Sequence, residues 1–350
     1  MTGMVVMEFN TSDENYSDYD YNDGVSPCNN NNMDLNSTGL AVTYIIVVLV
    51  SLLGNSLVIY VICCMERRKT STDVYLMNLA LADLLFSLTL PLWAVYIYSE
   101  WMFGTALCKL TSGLQEMTFY GGVLLLASIS VDRYLAIVKA TRVIVHKRHL
   151  VSLVCGCVWL VAGMLAVPVC VHKEAFTPSG STRKVCHDNV TGKKVEQWQL
   201  SMRLLRYIVG FFIPLMVMIF CYGSTSCTLY RSRNSQKHKA MRVILSVVLA
   251  FVVCWLPYNI AVLVDILMRG NLLSESCDLR QQVVFSLQVT EILAFSHCAV
   301  NPILYAFIGQ KFRDELLTTL FKHGLINKKV LSTYRKNSVY SFSGNTSITR

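Results

Sequence analysis

Seven long apolar runs constrain this chain more than any other feature. A run of about 18 or more residues with few charges is long enough to cross a bilayer as a helix. Four runs hold no Asp, Glu, Lys or Arg: 40–65, 150–171, 207–230 and 243–264. Three more hold one acid each: 74–99 with Asp83, 111–131 with Glu116 and 281–310 with Glu291. Only 15% of the residues are charged, against about a quarter in soluble domains. Buried helices of a soluble protein would need a large polar surround, which the remaining sequence does not supply. The fold class expected is therefore an all-α membrane protein, a seven-helix bundle over 40–310, with a tail at 1–39 and a second tail at 324–350.

Loop charges orient the bundle, because short cytoplasmic loops concentrate Lys and Arg. Arg67, Arg68 and Lys69 follow the first run; Lys139, Arg142, Lys147 and Arg148 follow the third; Arg231, Arg233, Lys237, Lys239 and Arg242 follow the fifth. The first tail is acidic, with Glu8, Asp13, Glu14, Asp18, Asp20, Asp23 and Asp34 and no Lys or Arg. The stretch 172–203 is less tidy, since Lys173, Arg183, Lys184, Lys193 and Lys194 lie on the acidic side. The three basic loops outvote it. The expectation is a multi-pass plasma-membrane protein with its N-terminus outside. The net charge of +9 then reports topology in contact with membrane lipid, and no nucleic-acid partner. Residues 1–39 lack a basic start and an apolar core, so the first span is expected to act as its own membrane address. Sequons at Asn10, Asn15, Asn36 and Asn189 fall outside and are candidate N-glycosylation sites.

Four of the thirteen cysteines fall in extracellular positions: Cys28, Cys108, Cys186 and Cys277. Disulfides persist there, and four cysteines allow three pairings. The preferred one joins Cys108 to Cys186, pinning the long loop to the third helix, and Cys28 to Cys277. Metal binding is not expected, since no Cys-x-x-Cys spacing occurs. No cysteine follows Cys298, so no S-acyl anchor is expected in the last tail.

A charge at mid-membrane is costly and usually faces the protein interior. Asp83, Asn55 and Asn301 fit one buried polar network, either a structural tie between helices or a hinge or ion site. Glu291 is expected to line an outward-open cavity and meet a cationic ligand group, with a structural hydrogen bond as the alternative. Glu116 lies at similar depth, where a lone acid can simply reach the interface. Pro91, Pro168, Pro214, Pro257 and Pro302 each remove a helix hydrogen bond and permit a kink.

Gly54-Asn55, Leu79-Ala80-Leu81-Ala82-Asp83, Asp132-Arg133-Tyr134, Trp159, Pro214 with Tyr222, Cys254-Trp255-Leu256-Pro257 and Asn301-Pro302-Ile303-Leu304-Tyr305 occur in order on separate spans. With them the chain resembles the rhodopsin-like G-protein-coupled receptors over about residues 39–323. The extended motif from Asp132 to Val138, Thr89-Leu90-Pro91, Cys28 with Cys277, His297-Cys298 and Glu291 look like the chemokine receptors. The strings from Ala306 to Arg313, Gln236 to Arg242 and Thr72 to Leu76 are most similar to the interleukin-8 receptors, a CXC subgroup.

That resemblance implies roles. Arg133 would pair with Asp132 at rest and then swing to admit a G-protein helix, with Tyr134 completing the motif and Tyr222 and Tyr305 closing behind. Trp255 and Pro257 would pass the ligand signal to helix six, with Asn55, Asp83, Asn301 and Pro302 in the same switch. Trp93, Tyr96, Arg203, Asp265 and Glu291 would line the chemokine pocket. Residues 311–323 would form an amphipathic helix on the cytoplasmic face. The implied function is a CXC chemokine receptor for interleukin-8-like, Glu-Leu-Arg ligands. It would signal through an inhibitory-type heterotrimeric G protein to calcium release and neutrophil chemotaxis, followed by receptor kinases and arrestin. Candidate phosphosites are Ser332, Thr333, Ser338, Ser341, Ser343, Thr346 and Ser347. The acidic tail, with Asp18, Tyr19, Asp20 and Tyr21, independently suits a basic protein ligand, and tyrosine sulfation would add charge. The competing reading is a chemokine scavenger without G-protein signalling; the intact Asp132-Arg133-Tyr134 favours signalling. An enzyme or transporter is not expected, since no repeat, nucleophile pair or ligand cluster is visible, and no cofactor is implied. Gln115, where amine receptors carry an acid, argues against an amine ligand. Gly122 and His297 replace polar groups that help relatives hold sodium near Asp83.

Overall fold

The computed structural model describes residues 37–64, 69–139, 148–178, 181–190, 194–230, 235–270, 272–274, 276–308, 310–329 and 332–333. Seven helices are long and apolar enough to cross a membrane: Ser37–Cys64, Ser71–Tyr98, Gly104–Ile137, His149–His172, Gln197–Thr228, Ile244–Arg269 and Cys277–Ile308. Their outward faces are apolar, with Leu53, Leu160 and Val253 each more than 60% exposed, while Asp83 is 2% exposed. An apolar surface around a buried carboxylate suits lipid and not water. The chain is a multi-pass membrane protein, a seven-helix bundle with a further helix, Gln310–Lys322, after the last span.

Several spans outrun their apolar stretches. The third covers 34 residues, roughly 50 Å at ~1.5 Å per residue, against a hydrocarbon core of ~30 Å. Hydropathy marks only the part in lipid; helical hydrogen bonding continues into the polar ends. The same effect moves Arg203 out of the expected loop and onto helix Lys194–Tyr207.

Prolines shape the other departures. Pro91 opens the second half of span two, dividing it into two helices, Ser71–Ser87 and Leu90–Tyr98. Thr89 Oγ1 donates to the Phe86 carbonyl at 2.7 Å in the break. Pro302 cannot donate to the carbonyl four residues back, on Cys298. Asn55 Nδ2 donates to that carbonyl at 2.9 Å, and Ser51 Oγ at 3.3 Å. The substitution works because spans one and seven nearly touch: a Cβ on Gly54 would sit 2.6 Å from Pro302 Cβ. Before Pro214, span five widens into a π turn, Ile208–Phe212.

Between spans four and five, strands β1 (Lys173–Phe176) and β2 (Val185–Asp188) form an antiparallel hairpin. Lys173 and Asp188 are opposite partners, with Nζ 3.0 Å from Oδ1. Cys186 on β2 is disulfide-bonded to Cys108 on span three. Cys277 is also disulfide-bonded; its expected partner, Cys28, lies outside the described residues. Arg183 donates to the Ser99 carbonyl. Two of the awkwardly placed loop cations, Lys173 and Arg183, therefore engage protein partners.

Candidate functional site

The polar side chains fall into three levels. At the hairpin end, spans three, five and six exchange charges. Arg203 contacts Asp265, a pair in which both side chains are largely buried. Arg269 Nε adds a second contact to Asp265 at 3.0 Å. One turn deeper, Arg206 Nη1 lies 2.6 Å from Glu116 Oε1. Glu116 is thus a buried ion-pair partner, not an acid reaching for the interface. Glu291 is 2% exposed, and its Oε1 has no hydrogen-bond partner among the described residues. Both ends of the Gln115 amide are in the same condition. Trp93 and Tyr96 pack with Trp101 beneath the hairpin, the two tryptophan rings 5.3 Å apart. Trp101 is held by its own Nε1, donating to the Gly104 carbonyl at 2.9 Å.

The middle level couples Trp255 to the polar centre. Its ring lies 4.5 Å from that of Phe119, 6.0 Å from Tyr258 and 5.4 Å from His297. His297 Nε2 is 3.6 Å from Asp83 Oδ1, and Asn301 Nδ2 donates to Asp83 Oδ2 at 2.8 Å. Asn55 reaches this centre indirectly. It donates to Ser51 Oγ at 3.0 Å, Ser51 meets Ser87 Oγ at 2.9 Å, and Ser87 donates to the Asp83 carbonyl at 2.5 Å.

At the opposite end Arg133 contacts the adjacent Asp132. Tyr134 packs on Phe220 with ring centres 5.6 Å apart. Tyr222 and Tyr305 are buried on spans five and seven. Beyond them, Tyr60 and His323 share a 2.6 Å hydrogen bond that ties span one to the end of the last helix. Among the described residues no cluster of three or more His, Cys, Asp or Glu could hold a metal ion.

A family model described as 7 transmembrane receptor (rhodopsin family) matches residues 54–305. The chain is 50% identical over 321 residues to the C-X-C chemokine receptor type 1 of Pongo pygmaeus, covering 92% of this chain and 91% of that one. It is 49% identical over 332 residues to the human type 1 receptor, covering 95% and 93%. The chain belongs to the C-X-C chemokine receptors of the rhodopsin family. The type 2 receptor of Oryctolagus cuniculus is similar as well, 49% identical over 325 residues, covering 93% and 90%. The protein is thus a member of a family of receptors, not enzymes.

The receptor's expected pocket residues separate into two groups. Arg203, Asp265 and Glu291 share the level of Glu116 and Arg206, whereas Trp93 and Tyr96 belong to the aromatic cluster under the hairpin. Asn189 is exposed, with Nδ2 2.5 Å from Glu174 Oε2, and Ser332 and Thr333 are exposed. Asn10, Asn15, Asp18, Tyr19, Asp20, Tyr21, Asn36, Ser338, Ser341, Ser343, Thr346 and Ser347 lie outside the described residues. Sequence reasoning missed Arg206, Ser51, Ser87 and Trp101. Arg206 was findable, since Arg203 and Arg206 are three apart and share one helical face.

Proposed function

We propose that this receptor binds basic CXC chemokines of the interleukin-8 type, Glu-Leu-Arg-bearing ones included, with its N-terminus outside the cell. It answers through an inhibitory-type G protein to release calcium and direct neutrophil migration. The observation that carries the proposal is Glu291: an acid 2% exposed, at the hairpin end of the bundle, with an oxygen unpartnered among the described residues. A buried acid so placed is matched by an incoming cation. The acidic tail with Asp18, Tyr19, Asp20 and Tyr21 supplies the long-range attraction for a basic protein. The relatives are named for the same ligand class.

The Asp132–Arg133 contact, with Tyr222 and Tyr305 on neighbouring spans, supports a G-protein switch at the far end, and Trp255 with Pro257 supports the link between ends. Kinase and arrestin engagement would follow at Ser332, Thr333 and the later serines and threonines of the tail. A panel of chemokines applied to cells bearing the receptor, read by calcium release and nucleotide exchange, tests this. At least one Glu-Leu-Arg chemokine should drive both, and Glu291→Gln should lower its potency by roughly tenfold or more. Binding and uptake without exchange would instead make the protein a scavenger.

A further inference from the structure

We infer that Arg206 is the positioning residue that holds Trp255 in the resting bundle, and that its pair with Glu116 is a latch between spans three, five and six. The inference rests on the receptor reading above.

Three contacts meet at one guanidinium. Its Nη1 is 2.6 Å from Glu116 Oε1 on span three. Its central carbon lies 4.5 Å from the Phe119 ring centre, also on span three, and 5.9 Å from that of Trp255 on span six. The two rings are themselves 4.5 Å apart. An arginine suits this place because its flat cation hydrogen-bonds at the edge while stacking on its face.

Local backbone explains how span five delivers it. The π turn Ile208–Phe212 follows directly after Tyr207. It inserts one residue, so the helix before it is rotated by about 100° relative to an unbroken α-helix. Gly210 lies inside that turn, where a Cβ would meet Phe119 Cε1 at 2.5 Å and Tyr120 Cε1 at 3.2 Å. The bare glycine lets Phe119 lean against span five and present its face to Arg206.

The pair is poorly explained as a stabiliser alone. Two charges taken out of water recover little more than their desolvation cost, and apolar side chains of equal volume would pack as well. Direction is what the pair supplies. Contact with Trp255, at 5.9 Å, stands at the outer limit of about 6 Å for a cation over a ring. A small shift of the guanidinium therefore ends it, while the nearer contact with Phe119 survives. Glu291 and Tyr258 lie within electrostatic range of the same cation. A positive ligand group arriving at Glu291 repels Arg206 and cancels the pull of that acid. The guanidinium then shifts, its marginal contact with Trp255 is lost, and span six is free to move about Pro257.

The test compares Arg206→Met, Arg206→Lys and Glu116→Gln with the parent receptor at matched surface density. Ligand-independent nucleotide exchange should rise by roughly three- to tenfold in Arg206→Met, the size expected for losing one cation–ring contact. Arg206→Lys should rise less, and Glu116→Gln should rise because the guanidinium is no longer anchored. A merely structural pair would lower surface density without raising exchange per receptor. Spin-label distances between spans three and six at the Arg133 end, measured in purified receptor without ligand, give a second readout. They should lengthen in Arg206→Met. This readout needs neither chemokine nor G protein, so it stands even if the proposed ligand or coupling fails. If Arg206→Met does not reach the surface, the other two variants carry the same expectation. Parental basal exchange and an unchanged distance in the variants that do reach it would overturn the latch.

Discussion

Charged pairs at the two ends of the bundle are built differently. At the hairpin end two buried pairs join separate spans: Arg206 to Glu116 links five to three, and Arg203 to Asp265 links five to six. At the other end Arg133 contacts its own neighbour, Asp132, on a single helix. Pairs between helices resist relative motion, because moving either helix separates buried charges. A pair within one helix travels with it and does not tie it to another. The hairpin end is thus braced across spans, and the Arg133 end is left free to open. A signal arriving at the braced end needs only to loosen a brace.

The sharpest way to break this comparison is Asp265→Asn. It removes the largely buried carboxylate that meets both Arg203 and Arg269, so a loss of about 3–5 kcal/mol is expected, read as a lower thermal midpoint in detergent. Cys108→Ser comes next. Cutting the tie to Cys186 should cost about 2–4 kcal/mol and loosen the hairpin, seen as faster amide exchange in 173–188. Asp132→Asn should behave oppositely: at most about 1 kcal/mol of stability, because the Arg133 side chain is 20% exposed and can turn to water, with higher ligand-free nucleotide exchange. If Asp132→Asn were as destabilising as Asp265→Asn, the two ends would not differ as argued.

The smallest effect is one of pH. Burial first, and then the Lys173 ammonium, hold the His187 imidazole below its ordinary value of 6.5. The folded hairpin therefore keeps this ring neutral. Its contribution is complete above about pH 6.5 and is lost as pH falls from there toward the folded value, because the unfolded segment binds the proton first. Amide protection across 185–188 should be flat above that pH and decline below it. His187→Asn should flatten the curve.

The seven crossings were legible because each needs only length and apolarity, properties of a run of residues taken alone. Asp83, Arg133, Trp255 and Pro302 were legible for a different reason, as rare residue types placed where the membrane makes them expensive. What the chain concealed is relational. Arg206 lies among Lys194, Glu196 and Arg203 in a stretch polar enough to read as loop, and only the continued helix and the π turn aim it into the bundle. Glu116 taken alone gave no hint of its partner 90 residues away. Pro302 announced a missing hydrogen bond, but nothing local identified the side chain that replaces it.

That replacement bears on how the receptor is made. The Cys298 carbonyl belongs to the last span synthesised, and the Asn55 amide that satisfies it belongs to the first. During synthesis span one enters the bilayer with its amide held only by Ser51 of the same helix, its carbonyl partner still 243 residues ahead. Span seven arrives with a backbone acceptor that lipid cannot satisfy. Late insertion of the final helix and its capture by the first would then be one event. A chain stopped before Pro302 should stay an open bundle, exposed to quality control until the stitch is closed.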